Sequence, residues 1–170
     1  MPEKIPVEIN QALNELAKSV RLCYQCGTCA AGCPVFRVRN DKNPRLLVER
    51  LLLGNQEEVI QSDVMWYCCN CYTCTEHCPQ GVDLAHVMVN LKNLAVQMGY
   101  APQSLIDEIT AILTTGGTAE LTGAIRKRRE KIGLPAELKG PDVKEIETLL
   151  QSTGVISLID QAKKKLEADA

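Results

Sequence analysis

The sequence predicts an all-α protein whose helices surround two cysteine-containing loops. Apolar residues recur at intervals near 3.6 along most of the chain, and no segment shows the sustained apolar/polar alternation of a strand. Prolines and glycines bound several of these apolar segments in the order that is typical of helices, with proline at the start and glycine at the end. Two cysteine-rich blocks interrupt the helical pattern, and we expect loops at both.

The first hundred residues predict four helices besides the cysteine blocks. An amphipathic helix occupies most of the first twenty residues. After the first block, a helix is expected to begin at Pro44 and to stop at Gly54, and a short helix within residues 57–64 leads into the second block. A long helix follows the second block, with Asp83 as its N-cap and Gly99 as its stop.

The remaining residues predict further helices without cysteine. The first of these helices is expected to start at Pro102, and the second is weakened by Gly123. The third has Asp142 as its N-cap and stops at Gly154. The tail after Gly154 is expected to be helical or partly frayed. We therefore divide the chain into a cysteine-containing domain, residues 1–100, and a C-terminal helical extension, residues 101–170.

Composition and charge exclude several classes of protein. The chain has 170 residues, of which 45% are hydrophobic and 24% charged, as in an ordinary globular protein. Its net charge of −2 lacks the basic excess of a nucleic-acid-binding protein. No apolar stretch approaches the roughly 20 residues of a membrane-spanning helix, and the N-terminus lacks a signal-peptide pattern. We expect a cytoplasmic protein with no membrane span and no nucleic-acid partner.

Eight of the nine cysteines form an internal repeat. Each block has the spacing C-x2-C-x2-C-x3-C followed by proline, and each cysteine of the second block lies 45 residues after its counterpart. The first block contains Cys23, Cys26, Cys29 and Cys33, and the second contains Cys68, Cys71, Cys74 and Cys78. The same register pairs Cys69 with Tyr24, so Cys69 is the cysteine outside the motif.

This spacing is the pattern of cysteines that bind 4Fe–4S clusters. Three thiolates on a tight turn reach one cluster, whereas the fourth cysteine lies past the turn and binds the other cluster of the pair. We therefore expect two 4Fe–4S clusters with exchanged fourth ligands, on which the fold depends. Cluster 1 is assigned to Cys23, Cys26, Cys29 and Cys78, and cluster 2 to Cys68, Cys71, Cys74 and Cys33.

Structural zinc and a disulfide framework are the competing interpretations of the cysteines. Zinc sites usually join C-x2-C pairs across a longer loop, whereas this chain has two complete four-cysteine runs. An odd number of cysteines excludes complete internal disulfide pairing, and a cytoplasmic protein is kept reduced. Iron–sulfur clusters are therefore the preferred interpretation.

The rest of the chain carries no catalytic or nucleotide-binding motif that we can identify, so we interpret the protein as an electron conduit without an active site of its own. His77, beside the last cysteine of the second block, is interpreted as a polar loop side chain, with tuning of cluster 1 as the alternative. The basic run at residues 126–131 is either a solvated helix face or a docking patch for an acidic redox partner.

The two blocks, their 45-residue offset and the helical surroundings resemble the C subunit of heterodisulfide reductase and of the heterodisulfide-reductase-like complexes. The stretches "CYQCGTCAAGCP", "WYCCNCYTCTEHCP", "DLAHVMVNLKNLAVQMG" and "RREKIGLP" carry the resemblance. It implies an α-helical ferredoxin fold and a hetero-oligomeric complex. In that complex this chain would relay electrons between the A subunit, a flavoprotein, and the B subunit, a cysteine-rich CCG protein that performs the disulfide chemistry. The substrate would be the mixed disulfide of coenzyme M and coenzyme B, or another disulfide or sulfur compound.

Other classes of protein carry the same two motifs. They recur in iron–sulfur subunits of the fumarate reductase, succinate dehydrogenase and glycolate oxidase types, which usually bring a further domain. A free ferredoxin-like carrier is a second alternative, although the helices after Gly99 favour a docked subunit. A regulatory protein with Cys69 as a redox sensor is a third, and we expect Cys69 instead to be a small packed or hydrogen-bonding residue.

Overall fold

The computed structural model describes residues 5–118, 121–137 and 140–169. Within these ranges the chain forms ten α-helices and one 3₁₀ helix and no strand, which confirms the all-α prediction. The chain divides into two compact units, Met1–Tyr100 and Ala101–Ala170. Each unit is described by itself.

The first unit contains six α-helices and the 3₁₀ helix. They are α1 (Val7–Ser19), α2 (Thr28–Ala31), α3 (Pro44–Leu52), α4 (Gln56–Ile60), the 3₁₀ helix (Asp63–Tyr67), α5 (Thr73–Glu76) and α6 (Leu84–Gln97). Helix α6 packs against α1, α4 and α5, and α2 packs against both α3 and α5. The sequence predicted only loops at the cysteine blocks, where α2 and α5 lie, because a helix of one turn is too short to show a period.

The helix starts in this unit follow from side-chain capping. The Asn43 side chain accepts hydrogen bonds from the backbone N–H groups of Arg45 and Leu46, and Pro44 occupies the first helical position of α3. The Asp83 carboxylate accepts a hydrogen bond from the backbone N–H of His86 at the start of α6. The predicted starts at Pro44 and Asp83 are therefore confirmed.

The core of the first unit lies directly beneath the cysteine blocks. Its most buried side chains come from α1, α3, α4, α6 and the 3₁₀ helix, and include Leu13, Ile60, Met65, Met88 and Leu91. Burying a side chain of this size stabilises the fold by about 1.5–3 kcal/mol. Five cysteines, all half-buried, pack against this core: Cys23, Cys29, Cys68, Cys74 and Cys78. The core thus supports both blocks from one side.

The second unit contains the remaining four helices. They are α7 (Gln103–Thr115), α8 (Gly123–Lys131), α9 (Val143–Ser152) and α10 (Val155–Asp169). Helices α7, α9 and α10 pack against one another, and Asp142 caps α9 as predicted. Gly123 is the first residue of α8 rather than a weak point inside it, and the tail is helical to Asp169.

The basic run lies on α8, which buries none of its residues. Two of its cations make local contacts. The Arg126 guanidinium is 3.2 Å from the Glu137 carboxylate, and Arg129 Nε donates to the Pro135 carbonyl at 2.8 Å. These contacts fit a solvated helix face, and docking of an acidic partner on this surface stays a prediction.

None of the helices in the described part of the chain is both long enough and apolar enough to cross a membrane.

Candidate metal centre

The two cysteine blocks share one backbone conformation. Gln25 and Asn70, which are 45 residues apart, have φ values of 62° and 52°. Gly27 and Tyr72, with the same offset, have φ values of 83° and 61° and directly precede α2 and α5. The sequence repeat is therefore a repeat of the three-dimensional structure.

Gly27→Ala tests the left-handed turn of the first block. The added methyl group would meet only the Arg45 side chain, at 3.9 Å, so the expected cost is that of the backbone. The left-handed conformation costs an L-residue roughly 1–2 kcal/mol, so we expect the free energy of unfolding to fall by about that amount. The measurement is chemical denaturation of the cluster-loaded protein.

Gly123→Ala is the matched control for this substitution. Gly123 begins a helix, has no positive φ, and a methyl group there would meet no atom within 4 Å. Alanine should therefore leave stability unchanged or raise it by up to ~1 kcal/mol. Equal effects of the two substitutions would contradict a strained left-handed turn at Gly27.

The second cysteine of each block is exposed and held by a threonine two residues later. Hydrogen bonding to Thr28 lowers the pKa of Cys26, and the two side chains are 3.3 Å apart. Hydrogen bonding to Thr73 lowers the pKa of Cys71 in the same way. Because the thiolate is the form that binds metal, these two cysteines are prepared to bind it.

The third cysteine of each block is half-buried, and its pKa is raised rather than lowered. Burial raises the pKa of Cys29 to about 11, with further contributions from the charges of Cys23 and Cys74. Burial likewise raises the pKa of Cys74. These thiols would lose their protons on binding metal, so loading of the site should release protons.

Amide groups surround the first and fourth cysteines. Gln25 Nε2 donates to Cys23 Sγ at 3.6 Å, whereas at the equivalent place in the second block the Cys68 thiol donates to Asn70 Oδ1 at 3.6 Å. The backbone N–H of Phe36 donates to Cys33 Sγ at 3.4 Å. Val82 N–H donates to Cys78 Sγ at 3.3 Å. The N–H···S contacts at Cys23, Cys33 and Cys78 stabilise thiolates and, in a bound cluster, the reduced form.

The structure brings the fourth cysteine of the first block to the second block. One cavity of the first unit is lined by cysteines of both blocks, namely Cys33, Cys68, Cys69, Cys71 and Cys74. Apart from Cys69, this is the set assigned to cluster 2 from the sequence. An influence of Cys78 on the first block is indicated at Tyr24. Desolvation raises the pKa of its phenol, and the charges of Cys26, Cys78 and Cys23 raise it further. Cys78 is thus close enough to the first block to act on it.

The donor set of this cavity fits a 4Fe–4S cluster. Among the described residues, no three Cys, His, Asp or Glu side chains converge on a point where they could hold a single metal ion. The four motif cysteines border a shared space, and thiolates are the ligands that such clusters take from a protein.

Lys42 is a buried residue beside the cysteines that the sequence did not indicate. Its side chain is only 1% exposed, lines the same cavity, and donates from Nζ to Met88 Sδ at 3.6 Å. Lysine is almost never fully buried unless paired. Burial lowers the pKa of Lys42, and the charges of Cys68 and Cys33 act in the opposite direction. One lysine in a polar loop gives no periodic signal, so only tertiary packing reveals it.

Cys69 and His77 differ in how well the sequence predicted them. Cys69 is exposed rather than packed and lines the cavity; burial raises its pKa, with hydrogen bonding to Cys71 as a further cause, which favours the hydrogen-bonding interpretation over the packed one. His77 is exposed at the end of α5, as expected of a polar loop side chain.

Comparison with known families agrees with this geometry. The family described as "4Fe-4S dicluster domain" matches residues 19–82, a segment that contains both cysteine blocks. This domain lies within the first compact unit.

Curated proteins similar to this chain extend the match into the second unit. The chain is 34% identical over 150 residues to an iron–sulfur C subunit of the CoB–CoM heterodisulfide reductase of Methanocaldococcus jannaschii, covering 85% of this chain and 80% of the relative. It is 40% identical over 116 residues to the corresponding iron–sulfur protein of Methanopyrus kandleri, covering 68% of this chain and 60% of the relative. A protein of Archaeoglobus profundus, named for its likeness to the heterodisulfide reductase C subunit, is 34% identical over 134 residues, 78% of this chain and 69% of the relative.

Proposed function

This chain belongs to the family of iron–sulfur C subunits of heterodisulfide reductase, and on that premise we propose that it is the electron-transfer subunit of a heterodisulfide-reductase-type complex. It relays electrons between a flavoprotein, the A subunit, and a cysteine-rich protein, the B subunit. The terminal substrate is a disulfide, for which the mixed disulfide of coenzyme M and coenzyme B named in the relatives is the leading candidate. In this proposal the chain relays electrons and leaves the disulfide chemistry to the B subunit.

The proposal includes two 4Fe–4S clusters with exchanged ligands. Cluster 1 takes Cys23, Cys26, Cys29 and Cys78, and cluster 2 takes Cys68, Cys71, Cys74 and Cys33. The observation that carries this assignment is the cavity in which Cys33 joins the first three cysteines of the other block. When bound, each cluster would take up and give back one electron at a time.

The environment of the cysteines suits a relay. Cys26 and Cys71 are exposed, so the outer side of each block is open to a partner. Cys29 and Cys74 are half-buried, and the charge of Cys74 acts on Cys29, so the inner cysteines of the two blocks lie close together. The core under the blocks excludes water from their inner side. An electron can thus enter at one exposed side and leave at the other.

Purification from the native host tests the assignment to a complex. An affinity-tagged full-length chain, isolated without oxygen, is expected to co-purify with a flavoprotein and a cysteine-rich polypeptide. It should elute from a sizing column far above its own mass of 18.7 kDa. Elution of the iron-loaded chain alone, at monomer mass, would contradict the proposal and favour the free carrier.

A further inference from the structure

A buried lysine distinguishes the cavity of cluster 2 from the rest of the first unit. Lys42 lines it together with Cys33, Cys68 and Cys74 and is 1% exposed. No ion pair in the described part of the chain involves Lys42, and its side-chain hydrogen bond goes to the uncharged sulfur of Met88. The ammonium therefore faces the cysteines without a carboxylate to offset its charge.

A second cation lies near the cysteines assigned to cluster 2. The half-buried Lys92 donates from Nζ to the Cys68 carbonyl at 3.0 Å. Cluster 2 is thus flanked by two ammonium groups, of which Lys42 is the less screened by solvent.

The residue that precedes the N-cap of the helix after the second block is apolar. Lys42 directly precedes Asn43, the N-cap of α3, and Val82 directly precedes Asp83, the N-cap of α6. Val82 is 5% exposed and touches Cys78 through its backbone N–H. One cation near the turn of the first block is Arg45, whose side chain lies beside Gly27 and is only half-buried. Solvent therefore screens the charge of Arg45 more than that of Lys42.

The loop that carries Lys42 is held in place on the second block. The Arg39 guanidinium lies 3.9 Å from the centre of the Tyr67 ring, one residue before Cys68. It also makes two hydrogen bonds to Asp41, at 3.0 and 2.7 Å. Because Asp41 is adjacent to Lys42, these contacts fix the loop at the point where the lysine turns into the cavity.

Charge next to a cluster changes its reduction potential. A 4Fe–4S cluster with four thiolates is anionic, and reduction adds one negative charge, so a buried cation favours the reduced form. Resting on the ligand assignment proposed above, we propose that Lys42 raises the reduction potential of cluster 2 above that of cluster 1. A chain that carries a single electron then holds it at cluster 2, which makes the second block the side that delivers electrons to the acceptor.

The first experiment is an EPR-monitored redox titration of the full-length, iron-loaded protein. In Lys42→Met the charge is lost but an unbranched side chain, one heavy atom shorter, is kept. We expect the higher of the two reduction potentials to fall by at least about 59 mV. For a one-electron reduction, this corresponds to a tenfold smaller equilibrium constant. The lower potential should stay in place. Lys42→Arg, which keeps the charge, should retain the higher potential, and Lys18→Met, an exposed lysine paired with Glu15, should change neither. An unchanged higher potential in Lys42→Met with full iron content would overturn the proposal.

The second experiment does not depend on the folding of a Lys42 variant. Cys33→Ala and Cys71→Ala should each leave one cluster, and the two remaining potentials should be equal to each other and to the lower one of the wild type. If both variants retain the higher potential, Lys42 does not favour cluster 2 and the inference is wrong. If the two variants retain different potentials, the exchanged ligand assignment fails instead, so the two failures can be told apart.

Discussion

Cys33→Ala is expected to remove about four of the roughly eight irons that two 4Fe–4S clusters bring to the chain. Cys33 belongs to the first block by sequence, but it lines the cavity formed by Cys68, Cys71 and Cys74. Its loss should therefore release the cluster of the second block and leave that of the first. The measurement is iron and sulfide content after anaerobic reconstitution, with the EPR signal of the reduced protein.

Cys69→Ser is the matched control for this variant. Cys69 borders the same cavity but lies outside the repeat, in the register of Tyr24, so its loss should leave the iron content unchanged. If Cys69→Ser loses iron and Cys33→Ala does not, the register of the repeat does not identify the ligands. A loss of all iron from Cys33→Ala would show that the two sites do not assemble independently.

Removal of iron from the full-length chain is expected to unfold the first unit at moderate temperature. In the proposed assignment Cys33 and Cys78 would join the two blocks through the clusters, and five cysteines pack on the core. Losing such cross-links costs ~3 kcal/mol or more by the loop-closure argument. For a unit of about 100 residues, that lowers the unfolding midpoint by roughly 12–24 °C. Circular dichroism on heating, before and after anaerobic chelation, measures the change.

The second unit provides the internal control for this experiment. It contains no cysteine, and α7, α9 and α10 pack against one another around Ile106, Ile159 and Ala162. Its helical signal should survive iron removal. An unchanged midpoint of the whole chain after complete loss of iron would contradict the coupling between clusters and fold.

Much of the fold was predictable because local rules decided it. Two helix starts are determined by side chains that accept hydrogen bonds from the first turn, namely those of Asn43 and Asp83. At α3 the ring of Pro44 also favours the first helical position. The repeat of the cysteine blocks was visible because metal ligands require fixed spacing. By contrast, the one-turn helices inside the blocks follow residues in the left-handed conformation, such as Tyr72. A residue other than glycine in that conformation cannot be recognised from the sequence.

The sequence predicts ligands for the site but not the surroundings of those ligands. The spacing assigned each motif cysteine to a cluster, whereas the burial of Lys42 depends on how the loop before α3 folds against Met88, a residue 46 positions away. No local pattern encodes such a contact. The same holds for the exposure of Cys69, which follows from the position of the second block on the core rather than from its neighbours in sequence.

Iron and acid-labile sulfide analysis of the purified chain, joined with EPR of the dithionite-reduced protein, tests the central claim most directly. About eight irons and eight sulfides per chain are expected, with the signal of two interacting reduced 4Fe–4S clusters. Two zinc ions per chain, no iron and no signal would contradict the assignment of the cysteine blocks and with it the proposed relay.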